Sequence, residues 1–308
     1  MFCFSVVLVE FVMLMMVLIC VAFVTLLERK ILGYIHLRKG PNKLFLVGIF
    51  QPFSDAIKLF LSEMLFFSNT IYIMYFFGPL ISLMVFFFSW MVFPVFGGGF
   101  DFMFGLIYFF CLSSFGVYSL FWCGWSSKSF YSMIGAIRGV AQMISYEVSL
   151  IFIIISSVIL SSSYDLMIIS LYQEIMWFCF LLMPLLVIWL VSSLAETNRS
   201  PFDFAEGESE LVSGFNVEFG GVGFAFIFMA EYGMIILMAC MVVVVFLGGM
   251  NLVMIFGLWV VFFWVWVRGA YPRFRYDKLM GLAWCSFLPI AMNYFMFSFG
   301  VILLMLVF

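Results

Sequence analysis

Charge is scarce in this chain of 308 residues. Only 9% are Asp, Glu, Lys or Arg, and 67% are hydrophobic, whereas water-soluble domains carry about 25% charged residues. The imbalance excludes a soluble globular domain and leaves an integral membrane protein. Histidine occurs once, and the seven cysteines are scattered without a Cys-x-x-Cys spacing. That argues against a haem, a histidine-ligated metal, a zinc site or an iron–sulfur cluster; the thiols read as small hydrophobes. Gly97-Gly98-Gly99 has no Lys-Ser/Thr after it, so it is no Walker loop. No basic stretch precedes the first apolar run, which therefore reads as a retained span and not as a cleaved signal.

What is present is hydrocarbon in long runs. Stretches of roughly 20 apolar residues predict an all-α polytopic bundle of about eight spans, near 4–27, 71–93, 102–122, 139–160, 174–194, 219–247, 250–267 and 279–307. Pro184 is expected to kink the fifth. All 13 Lys and Arg residues fall in or beside the odd-numbered connections. The positive-inside rule then places loops 28–70, 123–138, 195–218 and 268–278 on the cytoplasmic or matrix side, with both termini opposite. Threonine is rare beside 45 Phe, 24 Met and 24 Gly, the bias a T- and G-rich coding strand produces, which points to an organellar genome.

Against this background the segment 195–218 stands out. It holds Glu196, Asp203, Glu206, Glu208, Glu210 and Glu218, six of the chain's 16 acids, with Arg199 as its one base. Ser200-Pro201-Phe202-Asp203 reads as a helix start, with a hydroxyl N-cap and proline in the first turn, and Gly214 as the stop. On such a helix Asp203, Glu206 and Glu210 would form one stripe. Composition alone suits a solvated acidic loop. The interleaved Phe202, Phe204, Leu211, Val212 and Phe215 need burial, and favour acids lining a wet cavity inside protein.

Other ionisable residues interrupt the spans. A charge at mid-helix costs about 2.5–3.5 kcal/mol on insertion scales, so such residues face a bundle interior or a watered path. Glu147 in the fourth span and Glu231 in the sixth are candidates of this kind, while Glu10 is expected near the membrane surface. Pro52 opens an amphipathic helix with Phe53, Ile57, Phe60 and Met64 on one face and Asp55, Lys58 and Ser62 on the other. Such a helix could lie on the bilayer or roof a cavity. Gly220, Gly221 and Gly223 suit close helix packing better than phosphate binding.

Six motifs occur in order along the chain: Leu27-Glu-Arg-Lys-Ile-Leu-Gly-Tyr34, Leu37-Arg-Lys-Gly-Pro-Asn42, Gln51-Pro-Phe-Ser-Asp-Ala56, Ala141-Gln-Met-Ile-Ser-Tyr-Glu147, the 195–214 segment, and Ala270-Tyr-Pro-Arg-Phe-Arg-Tyr-Asp277. With them the chain closely resembles the family of subunit 1 of the NADH dehydrogenase of mitochondrial respiratory complex I. The resemblance implies a multi-pass protein of the mitochondrial inner membrane whose matrix loops meet the peripheral arm. It also implies partner subunits in both arms, ubiquinone as substrate, and FMN and iron–sulfur clusters on partner subunits only.

Carried over by position, the resemblance places Arg29, Arg38, Phe53, Asp55, Ala56, Phe224, Arg268 and Arg273 at a quinone chamber and its entrance. It places Glu147, Glu196, Asp203, Glu206 and Glu231 on a proton path, with Tyr232 and Arg138 alongside. Three positions depart from the family: His36 stands at a commonly polar amide position, Gly139 at a small alanine, and Glu63-Met-Leu-Phe-Phe67 lacks the usual proline and lysine. Two rival readings share these features. The homologous membrane subunit of a respiratory or ferredoxin-linked hydrogenase would carry the same motifs, and a proton- or cation-coupled transporter would also set carboxylates in spans.

Overall fold

The computed structural model describes residues 2–63, 70–94, 100–174, 176–205, 207, 214–248 and 253–307. They form α1 (Phe2–Ile35), α2 (Gln51–Leu61), α3 (Tyr72–Trp90), α4 (Gly105–Ser127), α5 (Phe130–Ser161), α6 (Leu166–Tyr172), α7 (Phe178–Leu181), α8 (Met183–Glu196), α9 (Gly221–Phe246), α10 (Val253–Ala270), α11 (Tyr276–Gly281) and α12 (Leu288–Val307). A π-helical stretch, Leu282–Phe287, joins the last two. Among the described residues, seven helical stretches are long and apolar enough to cross a membrane. The remaining expected span is α7 with α8, broken at Leu182, where φ is −110° and ψ 30°. Pro184 in the first turn of α8 accounts for the break, because proline cannot donate to the preceding turn.

At the centre stands α9, which packs against α1, α2, α3, α8 and α10. It is apolar all round, as a helix enclosed by others must be, and Met241 through Phe246 are buried without interruption. Gly233 lets α3 close in: a Cβ there would overlap the ring of Phe86, itself fully buried. Serines inside the spans satisfy their hydroxyls on the preceding turn, as Ser113 does on the Phe110 carbonyl at 3.0 Å and Ser149 on that of Tyr146 at 2.8 Å.

The odd-numbered connections meet at one end of the bundle. Ile71 N donates to Ser126 O there (3.1 Å) and Phe274 N to Pro201 O (3.1 Å), and Gly135 lies against Ala205. The even-numbered ones meet at the other, where Leu106 N donates to Tyr164 O (3.3 Å) and Gln173 Nε2 to Val244 O (3.0 Å). The basic loops thus share an end, opposite both termini.

Glu10 is enclosed by protein: it is 3% exposed, because the segment entering α4 folds onto α1 and Phe100 N donates to its Oε1 at 3.1 Å. One expectation needs correction. No helix begins at Pro201. Residues 201–205 form turns, with a cis Ser200–Pro201 bond, and the carbonyls of Pro201, Phe202 and Ala205 accept from Phe274 N, Gln142 Nε2 and Phe215 N. Glu206, Glu208 and Glu210, the rest of the expected stripe, lie outside the described residues. The amphipathic helix appears where expected, with Pro52 in its first turn, and ends at Leu61; Met64 lies outside the described residues.

Candidate functional site

The segment after α8 is held as a buried knot. Thr197 N bonds to Ser193 O and Arg199 N to Leu194 O, both at 3.1 Å, which closes the helix. Asn198 takes the left-handed conformation, φ 49°, which asparagine tolerates better than most residues. Gln142, fully buried on α5, donates Nε2 to the carbonyls of Ala195 and Phe202, each at 2.7 Å. Phe202 stacks on Phe274 at 5.4 Å, and the guanidinium of Arg273 lies 5.0 Å from the ring centroid of Phe204. Glu196, Thr197, Asn198 and Arg199 are each no more than 8% exposed. Glu196 and its neighbours up to Arg199 are therefore no solvated surface loop.

Beside the knot lies a cavity of about 80 Å³, enclosed by α3, α4, α5, the 196–198 turn and α9. Its polar wall comprises Ser82, Ser113, Ser119, Glu196, Thr197, Asn198 and Glu231. Ser113 also bonds Glu147 Oε1 at 3.1 Å, which attaches that acid to the rim. Glu196 Oε2 and Asn198 Oδ1 are buried with no protein partner among the described residues. Buried acceptors are normally satisfied, and at about 15 Å³ per water position the space suits a few waters. The walls can hold such a cluster and pass a proton between carboxylates.

On a neighbouring face of α9 is a second, smaller pocket lined by Glu28, Arg199, Ser200, Tyr232 and Arg268 with apolar neighbours. Glu28, near the end of α1, accepts from the Tyr232 hydroxyl on one oxygen and pairs with Arg268 Nη1 on the other. The Arg199 guanidinium lies 4.2 Å from the Tyr232 ring centroid and donates Nη2 to Glu231 Oε2 at 3.4 Å. Residues 231 and 232 are consecutive, roughly 100° apart around the helix, so the two carboxylate sites lie on neighbouring faces of α9 with Arg199 between them.

A pattern described as NADH dehydrogenase matches residues 9–299. The chain belongs to the NADH dehydrogenase family. It is 51% identical over 288 residues to the NADH-ubiquinone oxidoreductase chain 1 of Aedes aegypti, covering 92% of each chain. It is 52% identical over 289 residues to that of Locusta migratoria, covering 92% of this chain and 91% of the relative. Over 289 residues it is 48% identical to that of Paracentrotus lividus, covering 90% and 89%. The family read from the six motifs is the right one.

Within this family member, the residues expected at a chamber fall into separate contacts at the basic-loop end. Arg29 pairs with Asp55 at 2.5 Å, and Gln51 Nε2 holds the other Asp55 oxygen at 2.9 Å. Arg29 and Arg38 line a basic groove of about 450 Å³ together with Lys39, Gly40 and Pro41. Gly33 and Gly40 let the 38–41 turn lie directly on α1, where an added Cβ at Gly40 would sit 3.0 Å from Lys30 Cα. Phe53 meets Phe23 edge-on at 6.0 Å, half-exposed like its neighbour Ala56. Phe224 begins an aromatic ladder down α9, 4.3 Å from Phe228, which is 6.0 Å from Tyr232. Arg268 belongs to the Glu28 pocket and Arg273 to the knot.

Of the expected proton-path residues, Glu196 and Glu231 line the cavity, Glu147 is tied to its rim through Ser113, and Tyr232 lies in the second pocket. Arg138 and Asp203 are half-buried near the knot, and both take part in contacts. Glu206 lies outside the described residues. Sequence reasoning missed Glu28, Gln142, Ser113 and Asn198 as members of these sites. An amide in the middle of an apolar span was the available signal for Gln142; Glu28 was masked by the adjacent Arg29 and Lys30, which made it look like an ordinary charged helix end.

Proposed function

We propose that the chain is the core membrane subunit of a proton-pumping NADH:ubiquinone oxidoreductase, complex I of the mitochondrial inner membrane. In this role it forms much of the quinone chamber and carries the acidic path that couples quinone reduction to proton movement. The observation that carries the reading is the pair of sites around α9. A cavity edged by Glu147, Glu196 and Glu231 adjoins a pocket in which Glu28, Tyr232 and Arg268 meet.

The relatives are named as a chain of NADH-ubiquinone oxidoreductase, and this chain carries no sequence motif for NADH, FMN or an iron–sulfur cluster. Oxidation of NADH and electron delivery therefore belong to partner subunits of the peripheral arm, while further membrane-arm subunits receive the coupled protons. This chain's own contribution is placement. Apolar and aromatic side chains such as Phe53 and Phe224 take the isoprenoid tail, and Arg29, Arg38, Arg268 and Arg273 attract and orient a partly reduced headgroup. The basic loops face the matrix. Acids crowded at low dielectric titrate together, so charge added at the chamber redistributes protons along the row Glu147, Glu196, Asp203, Glu206 and Glu231.

The test uses the assembled complex carrying Glu147→Gln or Glu231→Gln. Quinone reduction and proton pumping should both fall at least about tenfold, while NADH oxidation by a hydrophilic acceptor stays normal. Wild-type pumping in both variants would remove the acidic path. Pumping by the isolated chain in liposomes would point to a stand-alone transporter, and co-purification with hydrogenase subunits would point to that relative.

A further inference from the structure

The last span, α12, has one side turned to this chain and one turned away. Ala291 and Ser298, seven residues apart and so on one face, are both fully buried, and Ser298 bonds the Phe295 carbonyl at 2.8 Å. Phe295 in turn meets Phe152 of α5 edge-on at 6.1 Å, and α5 is the main helix against which α12 packs. Asn293 does not share that side. It stands near the middle of the 30-residue span Tyr276–Met305, it is exposed, and among the described residues its amide has no hydrogen-bond partner. Acyl chains give an amide nothing to bond, so at mid-bilayer this group needs a complementary dipole from another protein. The exposed face of α1 differs: Phe11, Val12, Met15, Met16 and Ile19 bring no nitrogen or oxygen, which suits lipid.

The amide belongs to a seam. Pro289, Asn293, Met296, Gly300 and Leu303 follow one another at intervals of four, three, four and three, the spacing of a left-handed helix–helix contact. At about 100° per residue this stripe runs opposite Ala291 and Ser298. Met296 is 68% exposed, and a Cβ added at Gly300 would meet nothing of this chain within 4 Å. Small residues let membrane helices approach closely, and no helix described here uses that gap. We infer that the stripe is the docking surface for one transmembrane helix of another membrane-arm subunit. That helix presents a hydrogen-bonding side chain, Ser, Thr, Asn or Gln, at the depth of Asn293 and packs closely over Gly300. The inference goes beyond quinone handling and proton movement, and takes from the reading above only that membrane-arm subunits surround this chain.

The experiment places a benzophenone amino acid at Met296 in the assembled complex and identifies its cross-links by mass spectrometry. The expected product joins Met296 to a single transmembrane helix of a membrane-arm subunit that carries such a polar side chain. Adducts to lipid alone, to a second copy of this chain, or to a helix without that side chain would overturn the seam and leave the acidic path standing. Asn293→Leu and Gly300→Leu give a second measurement, the amount of assembled complex on native gels. Leucine is the better helix former at both positions, so neither change weakens α12 itself. Against a docked helix each should lower assembly several-fold, the first by removing the shared hydrogen bond and the second by filling the gap. Against lipid the signs differ: Asn293→Leu would leave assembly equal or raise it, and Gly300→Leu would change nothing. Undiminished assembly in both variants would overturn the proposal.

Discussion

Gln142 on α5 and Ala195 at the end of α8 are joined by a 2.7 Å bond from the Gln142 amide to the Ala195 carbonyl, and the same amide holds Phe202 O at 2.7 Å. One side chain therefore fixes both ends of the turn that carries Glu196 and Arg199. Gln142→Leu fills the space but removes both bonds, leaving the two carbonyls only their backbone donors Asn198 N (3.3 Å) and Phe204 N (3.2 Å), at about 1–3 kcal/mol in total. The expected outcome is a lower thermal-inactivation temperature of the assembled complex and less of it on native gels. Unchanged inactivation would show that the knot does not need this clamp.

Gly233→Ala tests the close approach of α3 and α9. The new methyl would meet the buried ring of Phe86, and overpacking of this kind costs about 1–3 kcal/mol. Assembly should fall, and Gly233→Ala combined with Phe86→Leu should regain part of it. Failure of the second change to help would place the fault elsewhere on α9.

Asp55→Asn should separate stability from substrate handling. The Arg29–Asp55 pair is part-exposed, with side chains 49% and 34% accessible, so its loss should change stability by less than about 1 kcal/mol. On the proposed role, KM for ubiquinone should rise several-fold with kcat little changed, measured as inhibitor-sensitive NADH:ubiquinone activity. A pure stability loss with unchanged KM would take Asp55 out of the chamber.

Orientation can be read chemically. Lys128 lies at the basic-loop end and Tyr164 at the opposite end, both exposed. A membrane-impermeant thiol reagent should label Tyr164→Cys while the inner membrane is sealed, and Lys128→Cys only after it is opened. The reverse order would invert the arrangement.

The spans and the gathering of the basic loops at one end were legible because hydrocarbon runs and basic residues obey one-dimensional rules, and Pro184 signalled its own break. The acids Glu147, Glu196 and Glu231 were legible because a carboxylate among apolar residues is costly and therefore informative. The fold of 200–205 was not. Ser-Pro-Phe-Asp satisfies every local rule for a helix start, but Phe274 and Gln142, distant in sequence, take the backbone partners a helix would have used. The enclosure of Glu10 was not legible either: it is set by the segment bearing Phe100, which no pattern within α1 reveals. Glu28 needed two partners from the second half of the chain, Tyr232 and Arg268, before it could be told from an ordinary helix end.

The adjacency of Glu231 and Tyr232 sets the two carboxylate pockets on neighbouring faces of α9, roughly 100° apart around its axis, with Arg199 touching both residues. Unit charges on the order of 10 Å apart influence each other by about 1.7 kcal/mol if the effective dielectric is near 20, more than a tenfold change in a protonation equilibrium. A change of charge in either pocket would therefore be felt in the other as field alone, without any movement of the backbone.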